Sequence, residues 1–359
     1  MAVTEFKCPN CDGGVNFDSA SQQMKCPFCM STFDVDALNS LKDCIGEEKD
    51  NVEWPTHDDA EWVSGEQEGM RLYSCNSCAG EIIADATTGA TSCPFCGNPV
   101  IMKGNFSGCA KPDCIIPFKL DRKMAIDALT KHLSGRRLLP QSFKSSKRLG
   151  EIKGVYVPFW LFNAEVEANM RYKATITRSW SDQQFNYTEN RHFNVTRHGQ
   201  LAFDNVPVDA SSKMPDDLME SLEPFDAKAA VDFKVAFLSG YMADKFDFSS
   251  EDSVERANRR IKKSTEDAFI KTVTGYNSVK TEHCGISLTN STVKYALMPV
   301  WVLNATWQGK NYLFAMNGQT GKFVGDLPTD WGIFKRWFII FTAIFAVLTF
   351  VILLVMGVA

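Results

Sequence analysis

The sequence predicts an α+β protein in three parts: two N-terminal four-cysteine ribbons, an α+β body containing antiparallel sheet, and one C-terminal transmembrane helix. Three observations carry this reading. The segments FKCPNCDGGVNFDSASQQMKCPFC and YSCNSCAGEIIADATTGATSCPFC repeat one another with every cysteine displaced by 67 positions, the mark of one unit used twice. Residues 337–359 run for 23 positions without a charged side chain. Between these ends, strand-like alternation and helix-like periodicity share a chain that is 45% apolar and 23% charged, a globular composition. The predicted divisions are ribbon 1 at 1–42, an acidic linker at 43–70, ribbon 2 at 71–104, the body at 105–330 and the anchor at 333–359.

In ribbon 1, Cys8, Cys11, Cys26 and Cys29 follow a Cys-x2-Cys-x14-Cys-x2-Cys spacing, and Cys75, Cys78, Cys93 and Cys96 repeat it in ribbon 2. Each Cys-x2-Cys turn offers two sulfurs, and two turns close a tetrahedron around zinc with Zn–S distances of about 2.3 Å. Iron or disulfides could use the same pairs, but soft sulfur ligands at ribbon spacing favour Zn2+. Two structural zinc ions are therefore expected, because four thiolates leave no open position for water. The opening MAVTEFKCPNC leads straight into cysteines without an apolar leader. A reducing compartment, rather than export through a cleaved signal, is the expectation.

The formal charge of −5 excludes a bulk polycation. Ribbon 1 sets Lys7, Lys25 and Lys42 against Glu5, Asp12, Asp18, Asp34 and Asp36, while ribbon 2 balances Arg71 and Lys103 against Glu81 and Asp85. Each four-thiolate zinc site would add two negative charges, so protein partners are favoured over nucleic acid. The linker carries ten acids between 43 and 68 against the single base Lys49. It reads as a solvated, self-repelling connector, pinned only where Trp54 or Trp62 finds a pocket. Beyond ribbon 2, residues 111–153 hold eleven bases and four acids. That segment reads as contact with anionic lipid heads, docking of the acidic linker, or the solvated face of a helix and its loop; in the alternative function, a membrane-tethered nucleic-acid-binding zinc-ribbon protein, it would contact nucleic acid with the ribbons.

Within the body, DRKMAIDALTKHLSG predicts an amphipathic helix over 121–135, with Asp121 as N-cap and Ile126, Leu129 and Leu133 on one face. Residues 166–176 alternate apolar and polar, as in an antiparallel strand with one wet face. Ser249 with Asp252 resembles a capping box, opening a helix to about Val273. Residues 308–311 and 317–322 read as turns between short strands. A further echo, PFWLFNA against PVWVLNA, matches four of seven residues at an offset of 141. Two related β units would explain it, and so would chance.

The final apolar segment would be about 34 Å long as a helix, enough to cross a hydrocarbon layer of roughly 30 Å. Lys335 and Arg336 precede it and nothing basic follows, so the positive-inside bias predicts a single-pass cell-membrane protein with its N-terminal region in the cytoplasm. The remaining Cys44, Cys109, Cys114 and Cys284 lack knuckle spacing and read as free thiols rather than a third site with His283. His192 and His198 read as surface or packing residues. No phosphate loop, dinucleotide fingerprint, zinc-hydrolase helix or nucleophile elbow is present. No enzymatic activity and no catalytic residue are expected.

Twin ribbons followed by IIPFKLDRKMAIDAL, KGVYVPFWLF, EPFDAKAAVDFKVAFLSGYMADKFD, PVWVLNATWQGKNYLFAMNGQTGKFVGDLP and a final span resemble a bacterial family of membrane-anchored proteins. That family bears transcription-factor-IIB-type zinc ribbons and is often labelled primosomal-helicase-like. The resemblance covers nearly the whole chain. It implies zinc at Cys8, Cys11, Cys26, Cys29, Cys75, Cys78, Cys93 and Cys96, and an anchor or adaptor role. It also implies protein partners of the phage-shock-protein-A-like or flotillin (SPFH) type in membrane stress. It supplies no catalytic residue, and the missing nucleotide loop argues against a helicase.

Overall fold

A computed structural model of the protein describes residues 6–9, 13–36, 38, 50–57, 60, 62, 65–85, 92–105 and 110–355. The chain divides into two compact units that share its length discontinuously. The first comprises Met1–Thr56, Phe162–Val206 and Val254–Val293, and the second His57–Leu161, Pro207–Ser253 and Lys294–Ala359.

The elements are, in order, β1 (Asn16–Asp18), β2 (Gln23–Lys25), β3 (Thr32–Phe33), β4 (Met70–Ser74), β5 (Glu81–Asp85), β6 (Ile101–Asn105) and β7 (Cys114–Ile115). There follow α1 (Arg122–Ser134), α2 (Ser146–Leu149), β8 (Lys153–Ser181), β9 (Asn186–Asp209), α3 (Asp216–Leu222), β10 (Val231–Asp232) and β11 (Met242–Asp244). The chain ends with α4 (Ser250–Ile270), β12 (Ser278–Trp307), β13 (Lys310–Asn317), β14 (Phe323–Gly325) and α5 (Trp331–Val355). Among the described residues the fold is α+β with two sheets, β1-β2-β3 and a larger one ordered β10-β7-β12-β8-β11-β5-β4-β6, to which β9, β13 and β14 add. Most pairings are antiparallel, but β11 runs parallel to β8 and β7 parallel to β12.

In the first unit, the alternation read from the sequence buries Val166, Ala168, Met170, Tyr172 and Ala174 on one face of β8. Ile261 and Phe269 of α4 close over them, with Val195 of β9 and Ile286 of β12. The N-terminus of α4 is fastened as a capping box: the Ser249 N–H donates to Asp252 Oδ2 at 3.0 Å, and Ser249 Oγ accepts from the Asp252 N–H at 3.2 Å. The helix stops at Ile270, three residues before the predicted end. There the Thr272 hydroxyl and N–H both donate to the Phe269 carbonyl, at 2.6 and 2.9 Å, and tighten the last turn. The linker is less free than its charge suggests. Asp50 pairs with Lys262 at 2.6 Å, and Trp54 donates to Asn258 at 2.8 Å while lying edge-on to Phe162.

In the second unit, Asp121 caps α1 by accepting from the Met124 N–H at 2.8 Å. Ala125, Leu129 and Leu133 are the fully buried face of that helix, with Ile126 only partly covered. The far end of the linker is tied down here too, with Glu66 bonded to Lys111 at 2.7 Å and Trp62 edge-on to Phe233. Among the described residues, ribbon 2 packs directly into the second unit. β5 pairs with β11, and Tyr73, Cys75, Ile82, Ala84, Cys93 and Phe95 belong to the same core as Val157, Phe159, Val300 and Val302.

The echo at offset 141 makes matched contacts. Trp160 of β8 donates to the Phe248 carbonyl at 2.9 Å and meets the Phe246 ring. Trp301 of β12 donates to the Leu120 carbonyl at 3.1 Å and meets the Phe118 ring. The Pro158 carbonyl accepts from Ala210, whose own carbonyl accepts from Asp247 and Phe248, while the Pro299 carbonyl accepts from Gly318, whose carbonyl accepts from Lys119 and Leu120. Each Phe-bearing segment leads into a capped helix, α1 or α4, and its ring reaches both long strands: Phe118 meets Tyr156 of β8 as well as Trp301 of β12, and Phe246 meets Trp160 of β8 as well as Tyr295 of β12.

Among the described residues, α5 is the one helix long and apolar enough to cross a membrane, over Trp331–Ile352, and none of that window is buried. Asp330 caps it, accepting from the Gly332 N–H at 2.8 Å.

Candidate metal centres

Each Cys-x2-Cys pair sits on a tight turn closed by its own backbone. In ribbon 2 the Cys75 N–H donates to the Gly80 carbonyl and the Ala79 N–H back to the Cys75 carbonyl. Cys93, Asn98 and Gly97 repeat the pattern. Ribbon 1 uses the same bonds at Cys8 with Gly13 and at Cys26 with Ser31 and Met30. To fold both sulfurs to one side, the residue after the second cysteine turns left-handed, at Met30 (φ 60), Ala79 (φ 55) and Gly97 (φ 76).

These turns bring Cys75, Cys78, Cys93 and Cys96 together with all four sulfurs within 4.8 Å of one another, and likewise Cys8, Cys26 and Cys29. Cys11, the fourth predicted ligand of ribbon 1, lies outside the described residues, as do Cys44 and Cys109. The shortest Sγ···Sγ separations are 3.5 Å for Cys75 with Cys96 and for Cys8 with Cys29, and 3.6 Å for Cys78 with Cys93. A disulfide needs about 2.05 Å. A tetrahedron with metal–sulfur bonds of about 2.3 Å has an edge of roughly 3.8 Å, so both clusters are spaced to hold an ion.

The local electrostatics call for a cation. Burial pushes the Cys93 thiol well above the ordinary range and raises that of Cys78. Burial opposes ionisation of Cys96 as well, but hydrogen bonds from the Asn98 N–H, Cys75 and the Asn98 amide outweigh it and bring that thiol to about 7. Four sulfurs this close, two buried and two half-buried, ionise together only where a bound metal balances their charge.

Two groups that spacing alone does not reveal support the second centre. Asn304 of β12 donates its amide N–H to the Phe95 carbonyl inside the CPFC turn. Lys153 at the start of β8 donates to the carbonyl and hydroxyl of Ser92, one residue before Cys93. Burial lowers the Lys153 pKa, and the charges of Cys93, Glu151 and Cys96 push it back up. A polar cavity of about 540 Å³ opens beside this turn, reached by Arg122, Arg148, Lys153, Asn98, Asn304 and Thr306. Asn304 was visible as part of the PVWVLNA echo, but nothing in the sequence tied it to a cysteine.

The two ribbons differ in what covers them. Phe28 and Phe95 occupy the same place in the two CPFC turns, and each ring lies over a glycine of the facing turn, Gly13 or Gly80. Phe95 is 6% exposed, packed in the core of the second unit. Phe28 is 75% exposed, with Met30 at 63% and Phe17 at 52% beside it in the ribbon.

The other candidates fall elsewhere. Cys114 on β7 and Cys284 on β12 join no cluster of three potential ligands among the described residues. Burial raises their thiols to about 11 and about 12 respectively. His192 bonds to Thr175 at 3.0 Å and His198 to Asn169 at 2.7 Å, both across the β8–β9 pair.

No protein-family model matches the chain, and no solved structure matches it. It is 33% identical over 336 residues to the Bacillus subtilis (strain 168) protein described as uncharacterized protein YdjG, an alignment that takes in 94% of this chain and 93% of that one. With likeness at that level along almost the full length of both proteins, the chain belongs to the YdjG family.

Proposed function

We propose that the protein is a membrane-anchored cytoplasmic adaptor whose two ribbons each hold a structural Zn2+ and whose ribbon 1 carries the protein-binding surface. The exposure of Phe28, against the burial of its counterpart Phe95, carries the reading. The same turn that ribbon 2 spends on the core is left uncovered in ribbon 1, and an apolar knuckle with acidic neighbours Asp18, Asp34 and Asp36 suits a protein partner rather than phosphate. Zinc is the ion favoured by four sulfurs at tetrahedral spacing. α5 supplies the anchor, and Lys335 and Arg336 at its start favour a cytoplasmic body. Phage-shock-protein-A-like and flotillin-type (SPFH) proteins are the partners that the family resemblance suggests.

The alternative, a membrane-tethered nucleic-acid binder, would draw on the basic segment at 111–153. Much of that charge is already engaged: Lys111 with Glu66, Lys119 with Asp226, Arg148 with Glu151, and Arg122, Lys144 and Lys153 with backbone carbonyls.

The test is affinity capture of full-length protein from detergent-solubilised membranes, with and without nuclease, comparing wild type with the double variant Phe28→Ser/Met30→Ser. Phage-shock-protein-A-like or flotillin-type proteins should be captured regardless of nuclease and lost in the variant, while two zinc ions per chain are retained. Capture unchanged by the variant, or dependent on nucleic acid, would overturn the assignment.

A further inference from the structure

The loop that follows α1 meets the head of α5. The Asp330 N–H donates to the Leu138 carbonyl at 2.8 Å, which fixes the loop to the residue that caps the helix. Beyond this contact a groove of about 550 Å³ runs between Arg137 and Leu138 on one side and α5 on the other. Its helix wall is built from Phe334, Phe338, Phe341 and Phe345, spaced by four, three and four residues and hence on one face. The rings form ladders, Phe334 stacked on Phe338 at 6.3 Å and Trp337 on Phe341 at 5.6 Å. From Phe334 to Phe345 the wall is about 16 Å long, roughly one leaflet of a 30 Å hydrocarbon layer.

At the head of the groove Arg137 lines it directly, with Arg136 before it on the loop, while Lys335 and Arg336 lie on the first turns of α5 off the phenylalanine face. Arg137 has no hydrogen-bonding or ion-pair partner among the described residues. The nearest capping acid, Asp330, is already committed to the Gly332 and Ile333 N–H groups.

Resting on the reading of α5 as a membrane anchor, we propose that this groove binds one anionic phospholipid, its phosphate held by Arg137 with Arg136 and one acyl chain lying along the phenylalanine wall. Charge selects the headgroup, since each basic side chain at a membrane surface attracts anionic lipid by about 1 kcal/mol, a factor of about five in binding. The lining selects a lipid chain over a neighbouring helix. Helix pairs in membranes approach through glycine, alanine and serine, whereas this face presents large rings.

The experiment uses full-length protein in nanodiscs made from equal parts of phosphatidylglycerol and phosphatidylcholine with identical acyl chains, and counts the lipids it retains by native mass spectrometry. Wild type should keep one phosphatidylglycerol with a preference of about twentyfold. Arg137→Gln should reduce that preference about fivefold, and Arg136→Gln/Arg137→Gln should bring it near parity. Phe338→Ala/Phe341→Ala should lower total retained lipid without changing the ratio. Equal retention of the two lipids by wild type, an undiminished preference in the double arginine variant, or a dimer that excludes both lipids would overturn the site. Carbonate washing of cell membranes separates the underlying reading: protein that stays in the membrane but shows no lipid preference refutes the site alone. Protein released into the wash refutes the anchor and the site together.

Discussion

Replacing Phe95 with alanine should unfold the second unit far more readily than the same change at Phe28, although both residues sit in an identical CPFC turn. Phe95 is 6% exposed and packs among Val157, Phe159, Val300 and Val302. Truncating a phenylalanine buried to that degree costs about 3–5 kcal/mol, from lost transfer energy and the cavity left behind. In a unit of this size each kcal/mol shifts the midpoint by about 2–4 °C, so Phe95→Ala should melt roughly 6–20 °C below wild type. Phe28 is 75% exposed, and Phe28→Ala should stay within about 0.5 kcal/mol. Asn304→Ala offers an independent check, because it leaves the Phe95 carbonyl without its donor and should cost about 1–3 kcal/mol. The assay is thermal melting of full-length protein in detergent micelles with zinc present, followed by circular dichroism at one scan rate. Equal losses for Phe28→Ala and Phe95→Ala would refute the assignment of ribbon 2 to the core and ribbon 1 to the surface.

The buried carboxyl of Asp244, raised to about 8 by burial and by the charges of Asp247 and Asp209 and lowered in part by the Ser211 hydroxyl, predicts a pH dependence. Its folded pKa lies above the unfolded value of 3.8, so the folded protein holds a proton that the unfolded chain releases, and stability declines as pH rises from about 4 to 8. The slope from this group is at most about 1.4 kcal/mol per pH unit. Asp244→Asn should flatten the curve and raise the midpoint more at pH 8 than at pH 5.5, whereas equal shifts at both pH values would contradict it. Chelation should unfold ribbon 2 together with the second unit, because Cys75 and Cys93 belong to that core. The melting midpoint should fall, and near-ultraviolet signals from Trp160 and Trp301 should be lost in step with zinc release. Zinc loss that leaves those signals intact would refute the coupling.

What the sequence discloses here depends on how local the physics is. A Cys-x2-Cys turn, the Asp121 cap and the Ser249–Asp252 capping box each act within a few residues, and each appears in the fold where the spacing places it. The alternation at 166–176 was legible because β8 there has one covered face. Residues 154–162 of the same strand are buried on both sides, so their apolar run carries no period and the true length of β8 was hidden. The short partners β7 and β11, of two and three residues, leave no pattern at all, and their parallel pairing is set by distant strands. Nor could the fates of Phe28 and Phe95 be told apart, since the difference lies in Asn304 and the strand that carries it, 209 residues beyond Phe95.

Contacts between early and late segments of the chain order events during synthesis. The segment from Phe118 to Leu120 leaves the ribosome long before its partner Trp301, with which it shares a ring contact and a hydrogen bond. At about 5–20 residues per second the roughly 180 residues between them take about 10–40 s to make. Throughout that interval α1 has no Trp301 to cover it, and the Phe95 turn waits equally long for Asn304. The second unit can close only once β12 and β13 exist, just ahead of α5. The body therefore closes only as the last segment of the chain is made, and a truncation before residue 301 would leave two uncovered apolar faces for chaperones and proteases to find.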